Sequence, residues 1–156
     1  MTAPGIPPDL DIHACAAVVG EAGILIRGAS GSGKTRLAFA LAAEGARGGF
    51  ARLVADDRTL VWRHGDALVA RPYPAAAGWA ERRGLGVVAV EHEPACRLRL
   101  VVELVDGWPD RWPDPEARRC AVAGVALHRL AVARQSPTAD AVALVLAAAD
   151  HTFTPP

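Results

Sequence analysis

A glycine-rich stretch near the front of the chain reads GASGSGKT and carries residue types that bind phosphate. It matches the pattern G-x-x-x-x-G-K-S/T, in which glycines let the backbone wrap an anion and the loop N–H groups point at it. Lys34, the only lysine among 17 basic residues, would reach the outer phosphates as a compact ammonium, and Thr35 would offer its hydroxyl to Mg²⁺. The predicted nucleotide-phosphate site consists of Gly28, Ala29, Ser30, Gly31, Ser32, Gly33, Lys34 and Thr35.

Two adjacent acids, Asp56 and Asp57, end the apolar stretch LVADDR soon after this loop. A carboxylate at a strand end is a usual way to hold Mg²⁺ in nucleotide-binding proteins. Alternation along a strand would point the two acids to different sides, so that one serves the metal and the other faces an acceptor hydroxyl. Glu81 in WAERRG and His13 in DIHACAAVV carry little weight alone, since such residues are more often a solvated charge and a structural histidine.

Hydrophobic patterning predicts the elements that must position these residues. Helices are expected over residues 35–46 and 139–150, and the first should bury one face that contains Leu37, Ala38, Leu41 and Ala42. Residues 72–84 should contain one helical turn, and residues 106–117, with three prolines, should form a loop. Strands are expected over residues 15–19, 24–28, 52–57, 84–91, 97–105 and 122–133, with a hairpin over 59–72 that turns at 64–66. The sequence therefore predicts an α/β fold with a mixed β-sheet and few helices.

Composition limits the classes of protein to which the chain can belong. Its 156 residues are 51% apolar and 22% charged, which fits one domain over residues 1–156 with an extended lead-in over 1–10. The balanced net charge argues against a nucleic-acid or membrane-surface protein. The apolar run 141–149 is too short to span a bilayer, and the first residues do not form a signal peptide. The three cysteines are odd in number and widely spaced, and they form neither a metal-ligand pattern nor a disulfide framework, which favours a reducing cytoplasm. All three are predicted to be buried.

His13, GASGSGKT, VADDR and ERRGLGVVAV occur in one order along the chain. This order of motifs resembles the C-terminal catalytic domain of the bacterial HPr kinase/phosphorylase family, over roughly residues 10–150. The most specific parts of the resemblance are the residue sequences VADDR and ERRGLGVV. The resemblance implies a P-loop kinase core that uses ATP and Mg²⁺ to phosphorylate a serine of the phosphocarrier protein HPr, and that can also reverse this reaction by phosphorolysis. It also implies a homo-oligomer, since the family forms hexamers.

The resemblance assigns roles to individual residues. Lys34 would bind phosphate and Thr35 would bind Mg²⁺. Asp57 would be the base that takes the serine proton, and His13 would be its partner in the active site. Glu81 would be a further Mg²⁺ ligand, and Asp56 would support the metal shell.

The chain also departs from the family pattern. It starts almost at His13, without the family's N-terminal domain, as in the short forms known from alphaproteobacteria. It reads E-R-R-G where the family has E-I-R-G, and EHEPACRL replaces the glycine-rich loop that follows. ARQSPTAD replaces the family's P-V-R/K-P-G-R-N segment, with Arg134 as its only arginine. Because that segment is tied to the reverse reaction, we expect kinase activity to exceed phosphorolysis.

Two other functions are compatible with a P-loop, which by itself does not distinguish a kinase from a GTPase or a binding module. One is a P-loop kinase for a small metabolite, against which the lack of an evident lid segment argues. The other is a non-catalytic ATP-binding regulator, against which the intact His13, Lys34, Asp57 and Glu81 argue.

Overall fold

The apolar strands of the chain assemble into a mixed β-sheet that carries two helices on one face. The computed structural model describes residues 5–153. Short 3-10 turns lie at Glu44–Arg47, Pro74–Ala76 and Pro115–Arg118. The helices and strands, in chain order, are β1 (Leu10–Ile12), β2 (Cys15–Val19), β3 (Ala22–Gly28), α1 (Lys34–Ala43), β4 (Ala51–Ala55), β5 (Thr59–His64), β6 (Ala67–Pro72), β7 (Trp79–Arg82), β8 (Gly86–Ala89), β9 (Cys96–Val105), β10 (Arg119–Val122), β11 (Val125–Ala133) and α2 (Thr138–Asp150).

Three parallel strands form the middle of the main sheet. Strand β9 lies between β3 and β11 and pairs in parallel with both. On one side, β2 pairs antiparallel with β3, and β4 pairs antiparallel with β2. On the other side, the start of β9 pairs antiparallel with β6, which continues through β5 to β1. Strands β7 and β8 form a separate hairpin. This arrangement confirms the predicted α/β fold with a mixed sheet.

The sheet has a buried apolar cluster on each face, because successive side chains of a strand point to opposite sides. Ile24 and Ile26 of β3 face the helices and pack with Leu41 of α1 and Val145 of α2. Leu25, between them, contributes to the cluster on the other face. The central strands are thus buried on both faces, which fits their continuous apolar sequences.

Helix α1 ends earlier than its sequence pattern predicts. We expected it to reach residue 46, but the α-helix ends at Ala43 and tightens into the 3-10 turn Glu44–Arg47. Gly48 then takes a left-handed φ of 102°, which turns the chain toward β4. The predicted face is largely right: Leu37, Ala38 and Leu41 are buried, whereas Ala42 is only half-buried.

The prediction of one strand over residues 122–133 is wrong. This segment is a hairpin in which β10 and β11 pair through Val122 and Val125, with Ala123 and Gly124 between them. Both turn residues have a positive φ, of 47° and 76°, which is the conformation of a type I′ turn. The turn was missed because alanine is an unusual residue at its first position and keeps the apolar pattern continuous.

Two shorter predictions are confirmed, and a third, the burial of all three cysteines, is confirmed only in part. The hairpin over residues 59–72 forms, with its turn at Gly65 and Asp66. The expected helical turn in residues 72–84 is the 3-10 turn Pro74–Ala76. Cys15 and Cys96 are buried, while Cys120 is half-buried, and all three are free thiols.

Within residues 5–153, neither helix combines the length and apolar character needed to cross a bilayer.

Candidate active site

The strand directions gather the predicted site residues at one edge of the sheet. Strand β4 runs in the same direction as β3, because each pairs antiparallel with β2, which lies between them. The carboxyl ends of β3 and β4 therefore lie beside the amino end of β2. The GASGSGKT loop follows β3, the two aspartates follow β4, and His13 precedes β2. Three segments that are distant in sequence thus meet at this edge.

The GASGSGKT loop leads directly into the amino end of α1. Gly31 and Gly33 have φ values of 75° and 99°, so a side chain at either position would strain the loop. Gly33 is the residue before the helix, and no side chain caps the helix there. The first N–H groups of a helix have no acceptor inside it, and its dipole adds positive potential at this end. The amino end of α1 is therefore suited to an anion.

Two buried polar side chains of the loop fit a phosphate. Lys34 is 6% exposed, and its Nζ donates hydrogen bonds to the carbonyl oxygens of Gly28 at 2.9 Å and Ala29 at 3.0 Å. These bonds hold the ammonium inside the curve of the loop. Ser32 is also 6% exposed, and its Oγ has no hydrogen-bond partner in residues 5–153. A buried hydroxyl without a partner is unfavourable, and a phosphate oxygen would supply one.

The residues expected to bind Mg²⁺ lie partly together. The hydroxyl of Thr35 donates to Oδ1 of Asp56 at 2.9 Å, and the backbone N–H of Glu81 donates to Oδ2 of Asp56 at 3.2 Å. In residues 5–153, no three acidic, histidine or cysteine side chains converge as a metal cluster. A hydroxyl and one carboxylate still fit Mg²⁺, since this ion is usually held by one or two carboxylates together with phosphate oxygens and water.

Glu81 lies inside β7, a strand that the sequence analysis did not predict, and it precedes β8, which forms within the predicted strand over residues 84–91. The backbone N–H of Glu81 contacts Asp56, whereas Glu81 as a whole is exposed. The guanidinium of Arg82 stacks on the Phe39 ring of α1 at 4.1 Å, which attaches the β7–β8 hairpin to the helix. The hairpin therefore brings the ERRG segment next to the loop and the aspartates.

The two aspartates separate because of a turn and not because of strand alternation. Strand β4 ends at Ala55, so the prediction that it runs to Asp57 is wrong. Asp57 has a left-handed φ of 65°, an uncommon conformation for a residue with a side chain. Asp56 points toward Thr35, while the carboxylate of Asp57 lies 3.3 Å from Nδ1 of His13. Both His13 and Asp57 are exposed, with side-chain accessibilities of 57% and 72%.

The segment after Asp57 is fastened to the segment around His13. The guanidinium of Arg58 donates two hydrogen bonds to the carboxylate of Asp11, and these bonds lower the pKa of Asp11. The same guanidinium stacks on the ring of Tyr73 at 3.9 Å. The buried hydroxyl of Thr59 donates to the carbonyl oxygen of Ala14 at 2.9 Å. These contacts hold the two chain segments in register, and they explain why His13 and Asp57 meet.

Cys15 is a residue of the site that the sequence analysis missed. Its Sγ donates to Oδ1 of Asp56 at 3.5 Å, accepts from the N–H of Asp57 at 3.4 Å and lies 3.8 Å from Oγ1 of Thr35. Burial raises the pKa of Cys15 to about 12, although the hydrogen bond from the N–H of Asp57 lowers this pKa. The thiol is thus protonated at neutral pH and can donate to Asp56. Cys15 was missed because a lone apolar-flanked cysteine gives no signal of its contacts.

The two segments that depart from the family pattern both carry ion pairs. Glu91, in EHEPACRL, lies 3.0 Å from the guanidinium of Arg52, so its charge is compensated. Arg134 lines a small cleft beside Ser32 and Gly33 and is 3.3 Å from a carboxylate oxygen of Asp106. The arginine of ARQSPTAD therefore lies near the loop, but a carboxylate shares its charge.

The fold matches a solved structure over most of its length. The structure of the Hpr(Ser) kinase/phosphatase from Coxiella burnetii superimposes with a TM-score of 0.74. The match covers 93% of this chain and 99% of the other, at 22% sequence identity. At this identity the likeness shows a shared fold.

Sequence comparison also finds relatives that are named as kinases of HPr. HPr kinase/phosphorylases of Neisseria meningitidis and Neisseria gonorrhoeae are 35% identical to this chain over 94 residues. The aligned part is 55% of this chain and 28% of each relative, so the chain matches less than a third of their length. The sequence model described as HPr Serine kinase C-terminal domain matches residues 6–108, which include every predicted site residue. The chain therefore belongs to the HPr serine kinase C-terminal domain family.

Proposed function

We propose that this chain is an ATP-dependent protein-serine kinase that acts on an HPr-like phosphocarrier protein. The observation that carries the proposal is the position of Asp57. Its carboxylate is exposed and next to His13, and its backbone is joined through Cys15 to Thr35 and Asp56. A carboxylate that a protein surface can reach thus lies beside a loop suited to nucleotide phosphates.

The phosphate end of ATP would bind at the GASGSGKT loop. Lys34 would neutralise the outer phosphates, and Ser32 and the first N–H groups of α1 would donate to phosphate oxygens. Thr35 and Asp56, with Glu81 beside them, would hold Mg²⁺, which disperses negative charge on the phosphoryl oxygens when bound. This loop would orient the terminal phosphoryl group toward the exposed aspartate.

Asp57 would act on the acceptor serine. A serine hydroxyl is a poor nucleophile until a positioned base takes its proton. The proton would pass to the carboxylate of Asp57 as the serine oxygen bonds to the terminal phosphorus and the bond from phosphorus to ADP breaks. His13, 3.3 Å away, would hold that carboxylate in position. Serine phosphate and ADP would be the products.

The exposure of Asp57 favours a protein substrate over a small metabolite. Kinases for metabolites close over their substrate to exclude water, whereas Asp57 is 72% exposed. A folded phosphocarrier could present its serine to such a carboxylate and cover it on docking. A metabolite kinase remains the alternative function, and a non-catalytic ATP-binding regulator is the third.

One incubation separates the first function from the other two. The chain is mixed with Mg-ATP and purified HPr, and mass spectrometry then locates phosphate on the carrier. We expect one phosphoserine on HPr with the unsubstituted chain and none with Asp57→Asn. Asp110→Asn, which alters an exposed aspartate of the loop after β9, serves as the matched control. Binding of ATP without transfer to HPr would contradict the kinase proposal. The hexamer known from the family is a separate prediction, and sedimentation equilibrium tests it.

A further inference from the structure

A second concave site lies at the opposite end of the sheet from the GASGSGKT loop. It is a pocket of about 530 Å³. Its walls are the start of β9, the β5–β6 hairpin, the β10–β11 hairpin and the residues that follow α2. Arg97 of this pocket lies seven residues before Leu104, which pairs with Gly28 of the loop. At the rise of an extended strand this separation is about 23 Å. The pocket is therefore distinct from the candidate active site.

Positive charge is concentrated in this pocket. Arg63, Arg97 and Arg99 line it together with one carboxylate, that of Asp66. In residues 5–153, none of these three arginines lies within ion-pair distance of a carboxylate. Half-buried arginines elsewhere are compensated; Arg27 and Arg129, for example, share the carboxylate of Glu103. Among the described residues, the pocket thus holds a net positive charge that no carboxylate within ion-pair distance compensates.

Two of the three guanidinium groups, those of Arg63 and Arg99, are also held in place. Arg63 donates from Nε to the carbonyl oxygen of Gly65 at 2.8 Å and from Nη1 to that of Ala123 at 3.0 Å. Such bonds fix the side chain without cancelling its charge. The guanidinium of Arg99 stacks over the ring of Phe153 at 4.7 Å. Its Nε is buried and has no hydrogen-bond partner in the described part of the chain.

An arginine cluster in which two side chains are held in place, and in which one buried donor lacks a partner, is suited to an anion. Arginine presents a planar fork that binds carboxylate or phosphate through two hydrogen bonds. A volume of about 530 Å³ lies in the range of small-molecule sites. Leu98, Val125 and Leu127 supply an apolar wall that would contact a short carbon skeleton. Because the charges converge in a pocket and do not form a stripe, a small molecule fits better than a nucleic acid.

We propose that this arginine pocket, defined by Arg63, Arg97, Arg99 and Phe153, binds a small polyanion with at least two carboxylate or phosphate groups. One anionic group meets Arg97 and Arg99, where the Nε of Arg99 gains its missing acceptor. A second meets Arg63, which lies across the pocket on a different strand. This proposal stands independently of the proposed kinase function, since no residue of the candidate active site takes part in it.

Nuclear magnetic resonance of the unsubstituted chain tests the proposal. Pyrophosphate and citrate are the two probes, and the Nε–H signal of Arg99 and the amide of Gly124 report on the arginine pocket. The amide of Gly31 reports separately on phosphate binding at the GASGSGKT loop. We expect saturable shifts at Arg99 and Gly124 with at least one probe, and the tighter probe shows whether phosphate or carboxylate is preferred. Shifts confined to Gly31, or none that saturate, would overturn the proposal.

A charge-matched pair of variants completes the test. Arg97→Gln with Arg99→Gln should weaken probe binding, measured at Gly124, by about tenfold or more, because a hydrogen bond to a charged group contributes roughly 1.5–3 kcal/mol. Arg111→Gln with Arg118→Gln removes the same charge from exposed positions outside the pocket and should leave the affinity unchanged. Equal weakening in both pairs would show a general charge effect and would also overturn the proposal. Circular dichroism of each variant checks that it is folded.

Discussion

The carboxylate of Asp57 lies 3.3 Å from Nδ1 of His13, and Asp57 holds this position with a left-handed φ of 65°. An aspartate tolerates this conformation better than most residues, but it still costs about 1 kcal/mol or more. A strained backbone persists where surrounding contacts fix it, and here Arg58 and Thr59 do so. The strain turns Asp57 away from Asp56, so the two carboxylates face different partners.

The first prediction concerns Mg-ATP binding by the GASGSGKT loop. Replacing both Lys34 and Thr35 by alanine removes the buried ammonium and the hydroxyl that contacts Asp56. We expect calorimetric affinity for Mg-ATP to fall by about a hundredfold or more, since two charge-assisted interactions are lost. Arg36→Ala, at the next position of α1, is the control for loss of a charge near the loop. Undiminished binding in the double variant would contradict the assignment.

The second prediction separates the roles of the two aspartates. Asp57→Asn should abolish phosphoryl transfer while largely sparing ATP binding, because it removes a base that acts in the transition state. The loss should appear in kcat and much less in KM for ATP. Asp56→Asn, which changes the partner of Thr35, should instead weaken Mg-ATP binding. If steady-state kinetics give the reverse pattern, the two roles are exchanged.

The third prediction is that phosphorylation is faster than phosphorolysis. The reverse reaction brings inorganic phosphate against a phosphoserine, so the site must offset the repulsion of two anions. Arg134, the one arginine of ARQSPTAD, is already paired with Asp106. Loss of one well-placed donor costs on the order of 10²–10³ in rate. The test measures the rate at which phosphorylated carrier loses its phosphate at saturating inorganic phosphate. This reverse rate is compared with the forward rate of phosphorylation in the same buffer. A reverse rate equal to the forward rate would show that the replaced segments are not needed.

The fourth prediction concerns Cys15. Cys15→Ala removes the sulfur that contacts Thr35, Asp56 and the backbone of Asp57, and kcat should fall about tenfold, the effect of one weak hydrogen bond lost in the transition state. Cys96→Ala removes another buried thiol, which lies in the cluster on the opposite face of the sheet, and should leave kcat unchanged. Since burial raises the pKa of both thiols to about 12, neither should react quickly with a thiol reagent at pH 8. Equal kcat losses in the two variants would point to stability alone.

The fifth prediction concerns stability. Ala123 has a φ of 47° at the first position of a type I′ turn, where asparagine is preferred. Ala123→Asn should raise the free energy of unfolding by about 1 kcal/mol, or the melting temperature by roughly 3 °C. Ala126→Asn, on an exposed position of β11, should give no gain because asparagine is unfavourable in strands. A lower melting temperature for Ala123→Asn would show that the strain lies elsewhere.

The sequence alone determined those parts of the protein that depend on neighbouring residues. Gly31 and Gly33, followed by Lys34 and Thr35, predicted the anion-binding loop because each feature is a local property of the backbone or of one side chain. Apolar periodicity likewise predicted the central strands and the two helices. Its errors include a boundary, the end of α1, and also strands that it missed, such as β7 and the hairpin that turns at Ala123.

Tertiary structure decided how distant segments meet. The antiparallel pairing of β2 with both β3 and β4 brings His13 to the same edge as the aspartates. The left-handed backbone of Asp57 and the contacts of Cys15 follow from that pairing, and no short sequence pattern encodes them. The arginine pocket is a further case, since Arg63 and Arg99 come from different strands. Strand pairing joins residues that are far apart in sequence. Such contacts are therefore fixed only when the strands of the sheet pair in their final register.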